Sequence, residues 1–437
     1  MKKLLIYLLL IANLAVTILF WWSFSGDLLA TGEINSIFIA ISRLSGLLAT
    51  QMALLQLILI GRVKWVESQF GLDKLSRIHK WNGYAVLFLV ITHVVLITKA
   101  YAVFNDFTFL GQFTNSITQS DDIFQAFLSV IILFVTVFLS ITIVRKNLKY
   151  ESWYYVHFFN YAMFVLFVSH QLELGMSSLS SAFEAYWIAT YVFVALHILF
   201  YRFFLPSWRF YQHDYTISKV EDLGVATNIY ISGKNLTELK RQSGQFFIFR
   251  FLQKGFWWQA HPFSLSWSAN NSELRITAKK LGDFTTEMPK LQVGTKVILD
   301  GPHGVFTANH ITKSKVLFIA GGIGITPLRS LTEDLAGKTD LTLIYSAKTK
   351  SEAVLLDELE NIRAQKNFKL VQIYDQEQVQ GAEFSRLDKN KLESLIPNIS
   401  EYDVFLCGPP GMMAALKTSV NELGLPNKQL HWERFAL

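Results

Sequence analysis

Long apolar stretches dominate the first half of the chain, and each is long enough to cross a lipid bilayer as a helix. Six such stretches precede residue 210 and are separated by short polar connections. They cover roughly residues 4–22, 36–60, 81–103, 123–144, 153–172 and 183–205. The pattern predicts a six-helix transmembrane bundle over residues 1–210.

Beyond residue 210 the pattern changes to short strands with polar turns. The segments include YTISKV, ATNIYISG, GQFFIFRF, ELRITAKK and TKVILDG. Such a series predicts an antiparallel β-barrel domain, which we place at residues 211–312. From residue 313 apolar strands alternate with helical segments, which predicts an α/β domain with a parallel sheet over residues 313–437.

Basic residues in the short connections predict how the bundle is oriented. Twelve Lys and Arg residues lie in the connections on one side, whereas only Lys99 lies on the other. Because cytoplasmic loops are enriched in Lys and Arg, we expect both termini and the whole second half to be cytoplasmic, at a plasma membrane or bacterial inner membrane. The N-terminal run of apolar residues is not followed by a small-residue cleavage site, so we interpret it as the first membrane helix.

Composition narrows the class of protein further. The net charge of +6 is explained mainly by the inside-facing basic residues, so membrane lipid is an expected partner and nucleic acid is not. The single cysteine, Cys407, excludes an internal disulfide and suits a reducing cytosol. The sequence contains no EF-hand loop, and no obligatory protein partner is evident from it.

Four of the ten histidines lie in two pairs within the apolar stretches. His79 and His93 are 14 residues apart, and His157 and His170 are 13 apart. At about 1.5 Å per residue, each pair spans roughly 20 Å, which places one histidine near each membrane face. A lone histidine there is more often a polar helix contact. Two matched pairs instead favour axial ligation of two haem irons, with His79 opposite His157 and His93 opposite His170.

The two spacings are not equivalent on a helix. Fourteen residues at about 100° each return to within roughly 40° of the starting face, whereas thirteen do not. We therefore expect the helix that carries His157 and His170 to be distorted, or to present its two rings differently.

Arg43 is a further polar residue inside an apolar stretch, where an unpaired cation is costly. A propionate of the outer haem is the expected counter-ion, and the cation would also attract a small anionic product or an oxidised acceptor. The alternative is that Arg43 extends to the membrane surface.

Three short motifs in the second half have the composition of binding loops. The first, His261-Pro262-Phe263-Ser264-Leu265-Ser266, is by itself only a proline-containing edge or turn. The second, GGIGITP, connects a strand to a helix, and its glycines and helix N-terminus suit a nucleotide phosphate, although its spacing is not the usual dinucleotide fingerprint. The third, CGPPG, follows another strand of the predicted sheet. Phe435, near the chain end, either packs in the core or stacks on a planar cofactor.

Taken together, these motifs resemble the ferric reductase and NADPH oxidase family, including its compact bacterial members. The resemblance covers residues 36 to 437 and rests on the histidine pairs, HPFSLS, DGPHGVF, GGIGITP, CGPPG and a near-terminal ERF, all in the family's order. It implies a ferredoxin-reductase-like module after the membrane bundle, with FAD on the barrel and NADPH or NADH on the α/β domain.

The resemblance also implies roles for individual residues. The flavin would contact His261, Pro262, Phe263, Ser264 and Ser266, and its pyrophosphate would contact Gly282, Asp283, Phe284 and Thr285. The nicotinamide nucleotide's pyrophosphate would contact Gly321, Gly322, Gly324, Thr326 and Pro327. Cys407, Gly408 and Pro409 would lie beside the nicotinamide, Phe435 would shield the flavin, and Arg43 would be the arginine at the outer haem. His303 departs from the pattern, because GPYG-type motifs have tyrosine there.

The stretch after the second α/β strand bears on the choice of nucleotide. Ser346, Lys348 and Lys350 follow a strand that should end near the adenosine ribose. An acidic residue there would indicate NAD, because it would accept a hydrogen bond from the 2′-hydroxyl. The lysines favour the 2′-phosphate of NADPH, although a solvated loop would also contain lysines.

The expected activity is transfer of electrons from cytosolic NAD(P)H through FAD and two b-type haems to an acceptor on the outer side. We expect O2 as the acceptor, which gives superoxide. One alternative is a transmembrane ferric-chelate reductase, in which Fe(III) is the acceptor. Another is a haem-binding electron conduit for a partner, in which the second half is a non-catalytic nucleotide module.

Overall fold

The structure is a computed structural model that describes residues 2–141, 144, 147 and 150–433. The chain forms two compact units. One comprises Met1–Gln69 and Lys74–Arg202, and the other comprises Phe70–Asp73 and Phe203–Leu437. The helical N-terminal region, the antiparallel sheets and the parallel sheet form the architecture that the sequence predicts.

The N-terminal half is helical, and several of its helices begin where a serine or threonine side chain accepts a hydrogen bond from a first-turn amide, as Ser120 does from Ile123. Its α-helices are α1 (Lys2–Ala30), α2 (Ile34–Ile60), α3 (Lys64–Phe70), α4 (Leu72–Phe104), α5 (Phe109–Gln119), α6 (Asp121–Ser140), α7 (Tyr150–Phe158), α8 (Asn160–Ser169), α9 (Ser181–Ile198) and α10 (Leu205–His213). Two π-helical turns, His170–Leu174 and Leu199–Phe204, follow α8 and α9.

Five helices among the described residues are long and apolar enough to cross a membrane. They are Lys2–Ala30, Ile34–Ile60, Leu72–Phe104, Asp121–Ser140 and the combined segment Ser181–His213. The predicted span over 153–172 differs, because it is not one continuous helix: it breaks at Phe159 between α7 and α8 and ends in a π-helical turn. The distortion expected from the 13-residue spacing is therefore present.

The barrel domain consists of two antiparallel sheets of three strands each. One sheet has the order β1 (Thr216–Asp222), β2 (Ala226–Ser232), β5 (Leu274–Lys279), and the other has the order β4 (His261–Ser264), β3 (Phe246–Phe251), β6 (Val297–His303). Alternate residues of β3, namely Phe247, Phe249 and Phe251, are fully buried between the sheets, as the two-residue period of a strand requires. A short helix, α11 (Asp283–Glu287), follows β5.

The last domain is a six-stranded parallel sheet with helices. The strand order is β10 (Glu383–Phe384), β9 (Lys369–Tyr374), β8 (Asp340–Ala347), β7 (Lys315–Gly321), β11 (Tyr402–Cys407), β12 (Leu430–Glu433). The helices are α12 (Ile325–Leu335), α13 (Leu356–Gln365), α14 (Lys389–Leu395) and α15 (Pro410–Glu422). The order reverses between β7 and β11, and ligands of such sheets bind where this reversal occurs, at the carboxyl ends of the strands.

Candidate functional site

The structure brings His79, His93, His157 and His170 together as two pairs. The rings of His79 and His157 have their centres 5.9 Å apart and are tilted by 59°. The rings of His93 and His170 have their centres 6.1 Å apart and are tilted by 70°. In each pair one ring comes from α4, and the other comes from α7 or from the π-helical turn after α8.

These separations fit a metal ion held between two imidazoles. A nitrogen–metal bond of about 2 Å, with each nitrogen about 1 Å from its ring centre, gives a separation of roughly 6 Å between the centres. Nδ1 of His170 is buried and has no hydrogen-bond partner among the described residues. No cluster of three or more His, Cys, Asp or Glu side chains that would suit a different metal occurs in the described part of the chain. The donor set therefore suits the two axial positions of haem iron.

Arg43 lies next to Ser42, whose backbone carbonyl is 2.9 Å from Nδ1 of His93. Arg43 therefore lies on α2 at the height at which that helix contacts His93 of α4. Its Nη1 donates to the carbonyl of Phe24 over 3.4 Å, and it forms no ion pair with any described residue. The half-buried cation is consequently available to an anion at that level.

The flavin motif begins with strand β4 and lies against the turn to which the family resemblance assigns the flavin pyrophosphate. The rings of His261 and Phe284 have centres 3.9 Å apart, and Phe263 stacks on Phe284 at 6.3 Å. Pro262 pairs with Ile248 of β3. Oγ of Ser264 is buried without a partner among the described residues, so it can still accept or donate a hydrogen bond.

Backbone amides of the turn before α11 find their hydrogen-bond acceptor within the turn itself. Oγ1 of Thr285 accepts hydrogen bonds from the amides of Leu281 and Gly282, at 3.0 and 3.2 Å. Asp283 is the first residue of α11. The structure therefore places Gly282, Asp283 and Thr285 in one tight turn next to the flavin strand.

The glycine loop lies at the reversal point of the parallel sheet. Gly321 ends β7, and a Cβ there would lie 2.4 Å from the sulfur of Met412 and 2.8 Å from Cδ of Pro409. Gly322 has a φ of +51°, in the left-handed region that favours glycine. A Cβ on Gly324 would lie 2.3 Å from the Cys407 carbonyl oxygen. The glycines thus allow the loop after β7 and the loop after β11 to approach each other closely.

The helix that follows the glycine loop begins with the predicted threonine and proline. Oγ1 of Thr326 donates to the Ile323 carbonyl over 3.1 Å, and Pro327 lies in the first turn of α12, where a missing amide hydrogen costs no helical hydrogen bond. Gly408 packs against Gly321, since a Cβ on Gly408 would lie 3.1 Å from the Gly321 backbone. The GGIGITP and CGPPG loops therefore form one continuous surface.

Cys407 is fully buried at the end of β11. Burial raises the pKa of its thiol well above the ordinary value, and the nearby Glu433 carboxylate raises it further. The thiol is therefore neutral at physiological pH, and its contribution beside a nicotinamide would be steric rather than nucleophilic.

Two further predicted residues lie at the same sheet edge. Ser346 of β8 is paired with Gly321 of β7, and Lys348 follows the strand on the exposed surface. Phe435, together with residues 434–437, lies outside the described residues, so its predicted role in shielding the flavin stays a prediction.

The structure also reveals a buried connection that motif analysis missed. Arg275 of β5 donates to the Ser266 carbonyl over 2.8 Å and forms a two-point ion pair with Glu358 of α13, at 2.7 and 2.8 Å. Burial lowers the pKa of Arg275, but the hydrogen bonds and charge of Glu358 outweigh this effect and raise it overall. The flavin motif and the nucleotide domain are thus joined by one cation. Nothing local in the sequence signals it, because Arg275 and Glu358 are 83 residues apart in the chain.

Known protein families match the chain in three consecutive blocks. Residues 45–168 match the ferric reductase like transmembrane component, residues 219–317 match an FAD-binding domain, and residues 318–418 match the oxidoreductase NAD-binding domain. These matches confirm the predicted order of a membrane component, an FAD domain and a nucleotide domain.

Individual proteins resemble part of the chain. Flavohemoprotein A of Dictyostelium discoideum is 28% identical over 189 residues, which are 40% of this chain and 46% of that protein. The glycine betaine monooxygenase reductase subunit of Chromohalobacter salexigens is 31% identical over 172 residues, which are 37% and 47% of the two chains. The chain thus spans about half the length of these curated relatives. Among solved structures, the FAD/NAD-binding domain of nitric oxide dioxygenase from Vibrio cholerae matches with a TM-score of 0.46 and 22% identity, over 50% of this chain and 97% of that one.

Proposed function

The chain belongs by its domain architecture to the ferric reductase and NADPH oxidase family, and on this basis we propose that it is a transmembrane NAD(P)H oxidase. It is a multi-pass membrane oxidoreductase with FAD- and NAD-binding domains. In our proposal it takes electrons from cytosolic NAD(P)H and delivers them to O2 on the outer side as superoxide.

The observation that supports this proposal most strongly is the arrangement of four histidines as two facing pairs. Each provides two imidazoles whose ring centres are 5.9 or 6.1 Å apart. The 14 residues between His79 and His93 correspond to about 20 Å along α4, which is most of the apolar thickness of a bilayer. Two electron-transfer sites stacked in this way would span the membrane.

The cofactors supply the redox chemistry: when bound, FAD takes a hydride from the nicotinamide and releases its two electrons singly, and the two haem irons relay them. One NAD(P)H and two O2 molecules give NAD(P)+, one proton and two superoxide ions. The residues of the chain hold and orient these groups. The GGIGITP and CGPPG loops would bind the nucleotide, the strand that contains His261 and Phe263 would hold the flavin, and the four histidines would hold the haems.

If His93 and His170 both hold the outer haem iron, their two imidazoles leave it no open ligand position, and an acceptor would be reduced without binding to the metal. Superoxide formation then requires no general acid or base. Arg43, beside this level of α2 and without a carboxylate partner among the described residues, would attract a haem propionate or the anionic product. The excess of Lys and Arg on one side favours a cytoplasmic reductase half, and the lysines after β8 favour NADPH.

Reduction of Fe(III) chelates is the second candidate, and it is supported by the match of residues 45–168 to a ferric reductase like component. The same electron path would serve both acceptors. They are therefore distinguished by the outer site and not by the reductase half.

The test is NADPH oxidation by purified, FAD-supplemented protein in air, with cytochrome c reduction followed with and without superoxide dismutase. The proposal expects cytochrome c reduction that dismutase suppresses. If cytochrome c reduction is insensitive to dismutase and Fe(III) chelates restore turnover, the oxidase proposal is wrong and the ferric reductase proposal takes its place. If NADPH fails to reduce the haem under nitrogen in protein that contains haem and FAD, neither function holds and the conduit alternative takes their place.

A further inference from the structure

Helix α2 contacts both histidines of α4 in the same way. Nδ1 of His79 donates to the backbone carbonyl of Gln56 over 3.3 Å, and Nδ1 of His93 donates to the backbone carbonyl of Ser42 over 2.9 Å. Ser42 and Gln56 are 14 residues apart, as are the two histidines. The two helices therefore meet in matching register at both levels.

These contacts determine which ring nitrogen is free at each level. A carbonyl oxygen can only accept a hydrogen bond, so Nδ1 must carry the proton in both rings. The lone pair then lies on Nε2, which is the atom available for a metal. A backbone carbonyl that orients a ligating histidine in this way also raises its basicity.

The contact at His93 is more elaborate than the contact at His79. The Ser42 hydroxyl is fully buried, donates to the His93 carbonyl over 3.0 Å and lies 3.1 Å from Nδ1. One turn later, Gly46 leaves the space in which the ring sits: a Cβ on Gly46 would lie 2.8 Å from Nδ1 and 3.1 Å from Cε1 of His93. Real Cβ atoms do not approach that closely, and the ring cannot retreat without leaving the Ser42 carbonyl.

We propose that Ser42 and Gly46 position His93 for axial ligation and so set the occupancy and redox potential of the outer haem alone. The proposal rests on the two-haem function proposed above. Both residues act through His93 and are positioning residues. Gly46 provides the space, and Ser42 fixes the ring's orientation from its carbonyl and its hydroxyl.

A matched control is present on α4. Gly83, one turn after His79, is also a glycine within a membrane helix, and a Cβ there would lie 2.9 Å from another residue. Its neighbour, however, is Nε2 of Gln56, which is the movable end of a long side chain and not a ligating ring. Both Gly→Ala changes raise helix propensity by about 1 kcal/mol, so they differ mainly in what the new methyl group meets.

The experiment compares Gly46→Ala and Gly83→Ala in the full-length, detergent-purified protein. Haem per chain is measured by the pyridine haemochrome method, and the α-band is titrated anaerobically for two redox components. We expect Gly46→Ala to lose one of two haems, with the remaining component titrating at its wild-type potential, and Gly83→Ala to keep both. Two haems with unchanged potentials in Gly46→Ala would overturn the proposal.

Ser42→Ala keeps the test decisive if Gly46→Ala does not fold. It adds no atoms and removes only the hydroxyl, so we expect both haems to remain while the midpoint potential of a single component rises, because His93 becomes a less basic ligand. Unchanged potentials, or equal shifts of both components, would contradict a role confined to His93. Wild-type protein without haem would refute the proposed function itself, which separates the two failures.

Discussion

Asn160 donates a hydrogen bond from Nδ2 to the backbone carbonyl of His157 over 2.9 Å, at the point where α7 ends and α8 begins. Thr136 of α6 holds the other end of the amide by donating to Oδ1 over 3.0 Å. The side chain thus takes the place of a backbone partner where the helix is interrupted at Phe159. This break is how a 13-residue spacing presents both His157 and His170 to α4.

Replacing Asn160 by leucine, which has a similar volume, should remove the support for that break. We expect a loss of about 1–3 kcal/mol of stability, because the backbone carbonyl of His157 loses its side-chain donor at the helix break, and we expect weakened retention of the inner haem. Haem content after purification and thermal unfolding followed in the Soret band measure both effects. Asn105→Leu is the control, since Asn105 also donates an amide hydrogen bond, to Gln112, but far from the histidines along the chain. Equal losses in the two variants would show that the position of Asn160 is not special.

Alanine substitution of a single paired histidine should remove one haem and leave the other. We expect His79→Ala and His157→Ala to lose the same redox component, and His93→Ala and His170→Ala to lose the second. His197 is the matched control: it also lies in an apolar helix, but the rings beside it are those of Trp65, Phe193 and Tyr201 and not that of a second histidine. His197→Ala should therefore retain two haems. Loss of the same component from His79→Ala and His93→Ala would refute the pairing.

Lys348 should discriminate between the two nicotinamide nucleotides. Its exposed ammonium follows β8, next to the strand that ends in Gly321, where a 2′-phosphate would find a charge-assisted hydrogen bond. We expect Lys348→Ala to raise the KM for NADPH roughly tenfold and to leave that for NADH nearly unchanged. Lys338→Ala, at the exposed turn after α12, should change neither. A parallel rise in both KM values would remove Lys348 from the 2′-phosphate site.

Cys407 should behave as an inert thiol in the folded protein. Burial raises its pKa well above the ordinary value, so the thiolate that reacts with iodoacetamide is scarce and covered. We expect alkylation at pH 7.5 to be about a hundredfold slower in the native protein than in protein unfolded by guanidinium. Because this is the only cysteine, mass spectrometry of the intact chain reports it directly. Rapid labelling of the native protein would indicate an open loop at the end of β11.

Features that depend on a regular spacing of residues along the sequence were predictable. The strand pattern gave the barrel and the parallel sheet, and the 14-residue spacing of His79 and His93 gave one face of α4. The break at Phe159 was expected only as an unspecified distortion, because it depends on Asn160 meeting Thr136, which is 24 residues away in the chain. The pair formed by Arg275 and Glu358, 83 residues apart, has no local signal for the same reason.

The central claim is that electrons cross the membrane, and vesicles that contain cytochrome c in the lumen test it most directly. The protein is reconstituted with haem and FAD, and external cytochrome c is removed. Membrane-impermeant NADPH is then added outside, so that it can donate electrons only to protein molecules whose reductase half faces outward. We predict reduction of the lumenal cytochrome c, suppressed by lumenal dismutase and absent in the His93→Ala variant. NADPH oxidation that leaves the lumenal cytochrome c oxidised while reducing cytochrome c added outside would contradict the account.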